Sequence, residues 1–312
     1  MANEPLLVLN AFVQRADSSP ASAARASRPG YNVNAGGEDI EDAGTRDRRL
    51  ALTGEPQLEW EAFDEYWRKT HGPKIVHVDG PDDAQTGQLR YYLQQHRIPA
   101  GPVSGRAPPY APDTDAAGRL VRDPAARCRP YVRPAWDGIA QLGFVDSAAL
   151  QAFFSVGPGK YAGKIVPDEA VFLRGFAFHL AEEHVVVQRG DRRRDPIVLL
   201  KLHRRADALS RPAFRGRWMA QHAALLRELP EVSRLVRRYA QLVNVGAPGD
   251  ALFDAAGDEI DGVGVYSFAN MNDCEDFVAG PGQAALDADE SVFCADTSFF
   301  TALNHVITDL TC

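Results

Sequence analysis

Hydrophobic and polar positions along the chain follow two periods, and each pattern occurs twice. From Glu59 to Pro73 (EWEAFDEYWRKTHGP) the period is helical, with Phe63, Trp67 and His71 four apart, which stacks three side chains on one face. Arg211 to Ala223 (RPAFRGRWMAQHA) carries Phe214, Trp218 and His222, each 151 positions later. An ordinary core stripe accepts any aliphatic residue, so a second Phe-x3-Trp-x3-His points to an internal duplication. Pro5 to Asp17 (PLLVLNAFVQRAD) reads as a strand, as does Asp195 to Asp207 (DPIVLLKLHRRAD). Arg-Ala-Asp repeats at an offset of 190 and Pro at 191, which leaves the register open by one residue; a slip of one would turn every side chain to the other face.

The remaining elements pair in the same way. Gln88 to Arg97 predicts a strand with Arg90, Tyr92 and Gln94 on one face, matched by Arg237 to Asn244 with Tyr239 and Gln241, offset 147. Asp137 to Phe153 is matched by Asp261 to Phe277 at offset 124, each predicting a strand that ends in Phe (144 and 268) and then a helix. Asp146-Ser147 and Asn270 are suitable N-caps, and Gly157-Pro158-Gly159 and Gly280-Pro281-Gly282 the expected helix stops. Asp168 to Val186 and Asp289 to Ile307 read as the closing strands, offset 121, with His184 and His305 near their ends.

Each half therefore orders as βαββαβ, the ferredoxin-like plan of an α+β unit. Its antiparallel sheet has helices on one face only, and the other apolar face must be covered. The expectation is two such domains, 1–190 and 195–312, packed sheet to sheet as an intramolecular α+β barrel and joined by the basic run at Arg189 to Arg194. The falling offsets give the first half two insertions, about 18–57 and 98–133, rich in Ala, Ser, Gly, Pro and charge. They are expected as a linker, a flap over a pocket, or an arm.

Composition narrows the picture without redirecting it. The 312 residues are 45% hydrophobic and 24% charged, ordinary for a globular chain. A net charge of −8 argues against a nucleic-acid partner. Cys128, Cys274, Cys294 and Cys312 form no C-x2-C pair, so no metal site and no disulfide framework is expected, and a reducing cytoplasm is the expected compartment. The apolar start LLVLNAFV has Glu4 before it and neither Lys nor Arg, unlike a secretory signal. No run approaches the roughly 18 apolar residues of a membrane span, so no membrane partner is expected.

The helix with Phe-x3-Trp-x3-His, Tyr-x-Gln on strand two, Asp-Gly-Ile/Val on strand three and Asp-Glu-x-Val-Phe before strand four together resemble the EthD domain family, and the chain looks like a tandem fusion of two such domains. The resemblance implies a dimeric α+β barrel fold, here within one chain that can also pair as a homodimer, and a pocket between helix one and the sheet. The family includes a protein linked to ether degradation and fungal polyketide dehydratases. The resemblance implies a cofactor-free lyase or isomerase acting on a hydrophobic aromatic, polyketide-like or lactone compound. His71 would be its acid/base, His184 a helper, and Tyr92 and Gln94 donors to a developing enolate oxygen. Phe63 and Trp67 would wall the pocket, Asp137 orient a histidine, and His179, which Phe300 replaces in the second half, serve the first pocket alone. Trp218, His222, Tyr239, Gln241 and His305 would form a second pocket. His71-Gly72-Pro73 and both insertions favour the first half as the working one. Each of these residues also has a purely structural role open to it. A cofactor-independent monooxygenase, a haem protein with His184 or His71 as axial ligand, and a non-catalytic binding protein are the alternatives.

Overall fold

In the computed structural model, the residues described are 5–16, 60–80, 86–98, 101–104, 135–154, 161–250 and 252–311. The insertion 18–57 and nearly all of 98–133 lie outside them.

In chain order, β1 (Leu6–Arg15) leads to α1 (Trp60–Tyr66), which continues through a π-helical turn (Trp67–His71) into α2 (Gly72–Val76). Then come β2 (Tyr91–Arg97), β3 (Gly138–Phe144), α3 (Ser147–Phe154), a second π turn (Tyr161–Ile165), α4 (Val166–Phe172) and β4 (Leu173–Gln188). The second half repeats the plan as β5 (Ile197–Arg205), α5 (Arg211–Arg217), a π turn (Trp218–His222), α6 (Ala223–Glu228) and α7 (Pro230–Leu235). It closes with β6 (Arg238–Asn244), α8 (Ala255–Asp258), β7 (Gly262–Phe268), α9 (Met271–Ala279), α10 (Pro281–Phe293) and β8 (Cys294–Asp309).

The strands close into one antiparallel barrel, β1-β3-β2-β8-β5-β7-β6-β4. Each half supplies four neighbours in the order 4-1-3-2, and the halves join where β2 meets β8 and β4 meets β6. The open register resolves at 190: Leu7 faces Phe144 and Ile197 faces Phe268. Val8, Phe12, Leu93, Ile139, Val198, Leu200, Val263 and Phe300 fill the barrel interior. Leu9, Val13, Tyr92 and Leu142 face outward under the helices of the first half. The apolar start that mimics a leader is thus β1, paired on both edges.

Two readings need correction. Asp168–Phe172 and Asp289–Phe293 are not strand; they are the last turns of α4 and α10. Gly280 does end α9, but Pro281 then opens α10, since a proline fits the first turn of a helix as readily as it stops one. The basic joining run divides between the seam and the surface. Arg192 is half-buried over the Tyr91 ring, 4.3 Å from its centroid, and paired with Glu183 and Asp309, while Arg193 and Arg194 stay outside beside Asp191. Among the described residues no helix is long and apolar enough to cross a membrane.

Candidate functional site

Helix one lies on the outer face of the first sheet, and a narrow cleft with a cavity volume of about 30 Å³ lies between them. Trp67, His71, Tyr92, Tyr161 and Glu169 line it, with an otherwise apolar wall from Leu9 and Ala11 on β1 to Phe176 and Phe178 on β4. The π turn carries both Trp67 and His71 and keeps both buried toward the sheet.

His71 is anchored by a residue to which the sequence reading gave no role. Its Nδ1 lies 2.8 Å from Asp168 Oδ2 on α4. Tyr66 donates its phenol to Asp168 Oδ1 at 2.7 Å, and the Lys74 ammonium reaches the same oxygen. Burial on its own would raise the Asp168 carboxyl; the hydrogen bonds and charges of His71, Lys74 and Tyr66 outweigh it and hold Asp168 below the usual carboxylate range. Among the described residues no group hydrogen-bonds His71 Nε2, which leaves that nitrogen for the cleft. The signal for Asp168 was present in the repeated Asp-Glu-x-Val-Phe, but with those residues read as strand its side chain could not be aimed at helix one.

Tyr92 is fully buried and lines the cleft, and burial pushes its phenol well up. The Gln94 amide donates to the Tyr92 hydroxyl at 2.7 Å and to the Trp67 carbonyl at 2.9 Å, so Gln94 stands behind the cleft wall and orients Tyr92. Phe63 packs in the core against Trp67 and Phe172 and does not reach the cleft. Nor does Trp67 roof His71: it stacks on His96, centroids 4.1 Å apart and planes 9° off parallel, while His71 rests against Phe172. Burial pushes the His96 imidazole down to about 4, against the pull of Asp64.

Four expected members fall elsewhere. Asp137 orients no histidine; its Oδ2 accepts the Arg15 backbone N–H at 2.9 Å and its Oδ1 faces the Arg97 guanidinium, pinning the end of β1. His179 is inside the barrel, where Asn10 donates to its Nδ1 at 3.0 Å and burial pushes it down to about 3. His184 does not help His71. Because β4 runs on to pair with β6, opposite Gln241, His184 sits by Glu182 at the second half's helix one. By the same crossover His305 leaves the second pocket for the first half, opposite Gln94.

The second half keeps the dyad and fills the space. His222 Nδ1 lies 2.9 Å from Asp289, and Arg217 donates to Asp289 where Tyr66 serves Asp168. Gln241 donates to the Trp218 carbonyl at 2.9 Å as its twin does. However, Lys201, His203 and Tyr266 occupy the positions of Ala11, Val13 and Leu142, and Tyr266 packs on Tyr239, centroids 4.3 Å apart. Lys201 is fully buried and donates to Glu290 at 2.7 Å. Burial pushes Glu290 up to about 7 in spite of that ammonium. A carboxyl raised on folding stabilises below its unfolded value, near 4.5, and that contribution is lost as pH rises through about 7. Unfolding free energy measured in urea from pH 4.5 to 8 is expected to fall less steeply in Glu290→Gln than in the parent protein.

Two half-barrels joined edge to edge, each with a carboxylate-held histidine under its helix one, define a duplicated α+β barrel with a cleft under helix one of the first half. The chain belongs to the EthD domain family, whose model matches residues 55–175 and 206–297. No curated protein matches it. Among solved structures it is similar to an anthrone oxidase-like protein, at 8% identity and a TM-score of 0.50, over 100% of this chain and 97% of that one. It is also similar to a mutant chlorite dismutase from Candidatus Nitrospira defluvii, at 12% identity and a TM-score of 0.42, over 97% and 93% of the two chains. These likenesses concern the fold.

Proposed function

We propose that the cleft of the first half binds a hydrophobic aromatic, polyketide-like or lactone compound and that His71 moves a proton on it, as a lyase or isomerase, most simply a dehydratase. The reading places the cleft in the first of two units, 1–190 and 195–312. The observation that carries it is the split use of the imidazole: Nδ1 is held by Asp168 at 2.8 Å and Nε2 is left to the cleft. A neutral histidine so held donates Nδ1–H to the carboxylate and accepts a proton at Nε2. In dehydration of a β-hydroxy carbonyl compound, Nε2 takes the proton beside the carbonyl, the C–O bond to the hydroxyl breaks, and the same proton leaves with it as water. Asp168 stabilises the transient imidazolium. Tyr92, whose oxygen already accepts from Gln94, has its O–H free to donate to the enolate oxygen. The apolar walls hold the carbon skeleton by burial.

A haem is poorly matched to this lining, which among the described residues holds one acid, Glu169, and no lysine or arginine to meet two propionates. His184, the other candidate axial ligand, is engaged with Glu182 away from the cleft. A binding-only role would suit a wall of purely apolar groups; here an uncommitted imidazole nitrogen and a phenol face the space.

The test is turnover of a panel of β-hydroxy ketones, aromatic polyketide mimics and lactones. His71→Ala should lower kcat/KM by about a hundredfold or more, the usual contribution of a general acid or base, while His222→Ala leaves it unchanged. A folded His71→Ala protein with full turnover would overturn the mechanism.

A further inference from the structure

We propose that Asp64, His96 and His305 form a binding site for a divalent first-row transition metal ion at the seam where β2 of the first half pairs with β8 of the second. The three ligands come from three elements, which is why no sequence spacing announces them. Asp64 stands on α1, His96 on β2, and His305 on β8 opposite Gln94. One oxygen of Asp64 is 2.7 Å from His96 Nδ1 and 3.6 Å from His305 Nε2, and the three donor atoms all lie within 4.8 Å of one another. Ligand atoms about 2.1 Å from a tetrahedral or octahedral ion stand roughly 3.0–3.4 Å apart, so the observed spacings bracket those of a coordinated set.

The surroundings of His96 also suit a ligand. The Gln94 nitrogen is committed to the Trp67 carbonyl and the Tyr92 hydroxyl, which turns its Oε1 toward His96 Nε2, 3.3 Å away. That oxygen can accept an Nε2–H and hold the ring with Nδ1 turned to Asp64. Without an ion the 2.7 Å contact from Nδ1 to Asp64 is a hydrogen bond; with the proton on Nε2, both atoms of that contact become donors to a metal. An outward hydrogen bond that fixes the tautomer of a ligating histidine is the usual support of a metal site. The Trp67 stack holds the same ring in plane. His305 Nε2 is buried with no hydrogen-bond partner. Two imidazoles and one carboxylate suit zinc or iron(II) better than calcium or magnesium. The Asp64 and His305 side chains are 14% and 24% exposed, which gives an ion a way in and leaves positions for water.

The opposite seam supplies a comparison within the molecule. The positions of Asp64, His96 and His305 are taken there by Arg215, Val243 and His184. Arg215 donates to Glu182 at 2.6 Å, and His184 Nε2 lies 3.3 Å from the same carboxylate. A guanidinium sits directly on the carboxylate at that seam; at the first seam the nearest one, Arg68, stands 3.7 Å from Asp64 Oδ2, and Oδ1 is left to the two imidazoles.

The experiment is a titration of the tag-free full chain, stripped with chelator, by cobalt(II) followed in the visible, with zinc(II) as competitor. One equivalent should bind, raise Tm, and be displaced by zinc. His305→Ala, which loses no hydrogen bond, and Asp64→Asn should each weaken binding at least about a hundredfold, Gln94→Leu about tenfold, and His184→Ala not at all. The absence of stoichiometric uptake by the parent protein, or uptake unaltered in both His305→Ala and Asp64→Asn, would overturn the site. Neither outcome touches the reading of His71, whose test is turnover.

Discussion

Ala11→Lys should abolish ligand binding and turnover while leaving the protein folded. Ala11 lines the open cleft on β1, and Lys201 stands at the same register on β5, opposite Gly264 as Ala11 is opposite Ala140. In the second half that lysine is accommodated because Glu290 on α10 meets it at 2.7 Å. The first half has Glu169 at the matching position on α4, so a lysine at 11 would find a carboxylate rather than a bare apolar wall. Its four-carbon stem would fill space between His71 and the sheet, and its ammonium would displace a hydrophobic ligand. Loss of affinity should exceed a hundredfold, about 2.7 kcal/mol, with Tm within a few degrees of the parent. The reciprocal change, Lys201→Ala, leaves Glu290 buried without its cation, a loss of about 3 kcal/mol or more. Unchanged binding by Ala11→Lys would mean that the ligand does not use this cleft.

Much of this arrangement was legible in the sequence because the duplication made each weak pattern testable against its twin. The paired offsets gave the element order and the barrel. What failed did so for physical reasons. Asp289–Phe293 has no period of its own at five residues, so its helical state depends on Leu286 and Phe293 packing as one face of α10, which only the fold shows. His184 and His305 were assigned to their own halves because sequence proximity says nothing of strand pairing. β4 and β8 are each 16 residues long and reach past their own sheets, so each carries its histidine to the other half. Asp64 and His96 lay inside motifs read for other residues; neither has a counterpart in the second half, so the repeat that exposed the rest concealed them.

The Asp-Gly repeat, readable in sequence as a plain turn, has a sharper meaning that predicts the largest stability effect. A Cβ at Gly138 would stand 2.5 Å from the Gln95 carbonyl and 2.7 Å from the Trp67 ring; one at Gly262 would stand 2.4 Å from the Trp218 ring. Glycine here is what lets helix one lay its tryptophan flat against the sheet, and so links the repeat at offset 124 to the one at offset 151. The Gln95 carbonyl belongs to the β2–β3 ladder and cannot retreat without loosening it. Trp67 cannot retreat without leaving His96 and the cleft wall. Gly138→Ala is therefore expected to cost about 3 kcal/mol, the upper end for overpacking a rigid core, and Gly262→Ala somewhat less, since it meets a ring alone. Denaturant unfolding checks both. The cause is separable from any intrinsic strand preference: Trp67→Phe should destabilise the parent protein but recover part of the loss in Gly138→Ala, giving a favourable coupling of about 1 kcal/mol in the double-mutant cycle. Additive effects would show that the alanine clashes with the strand alone, and that the tryptophan of helix one is not what the glycine makes room for.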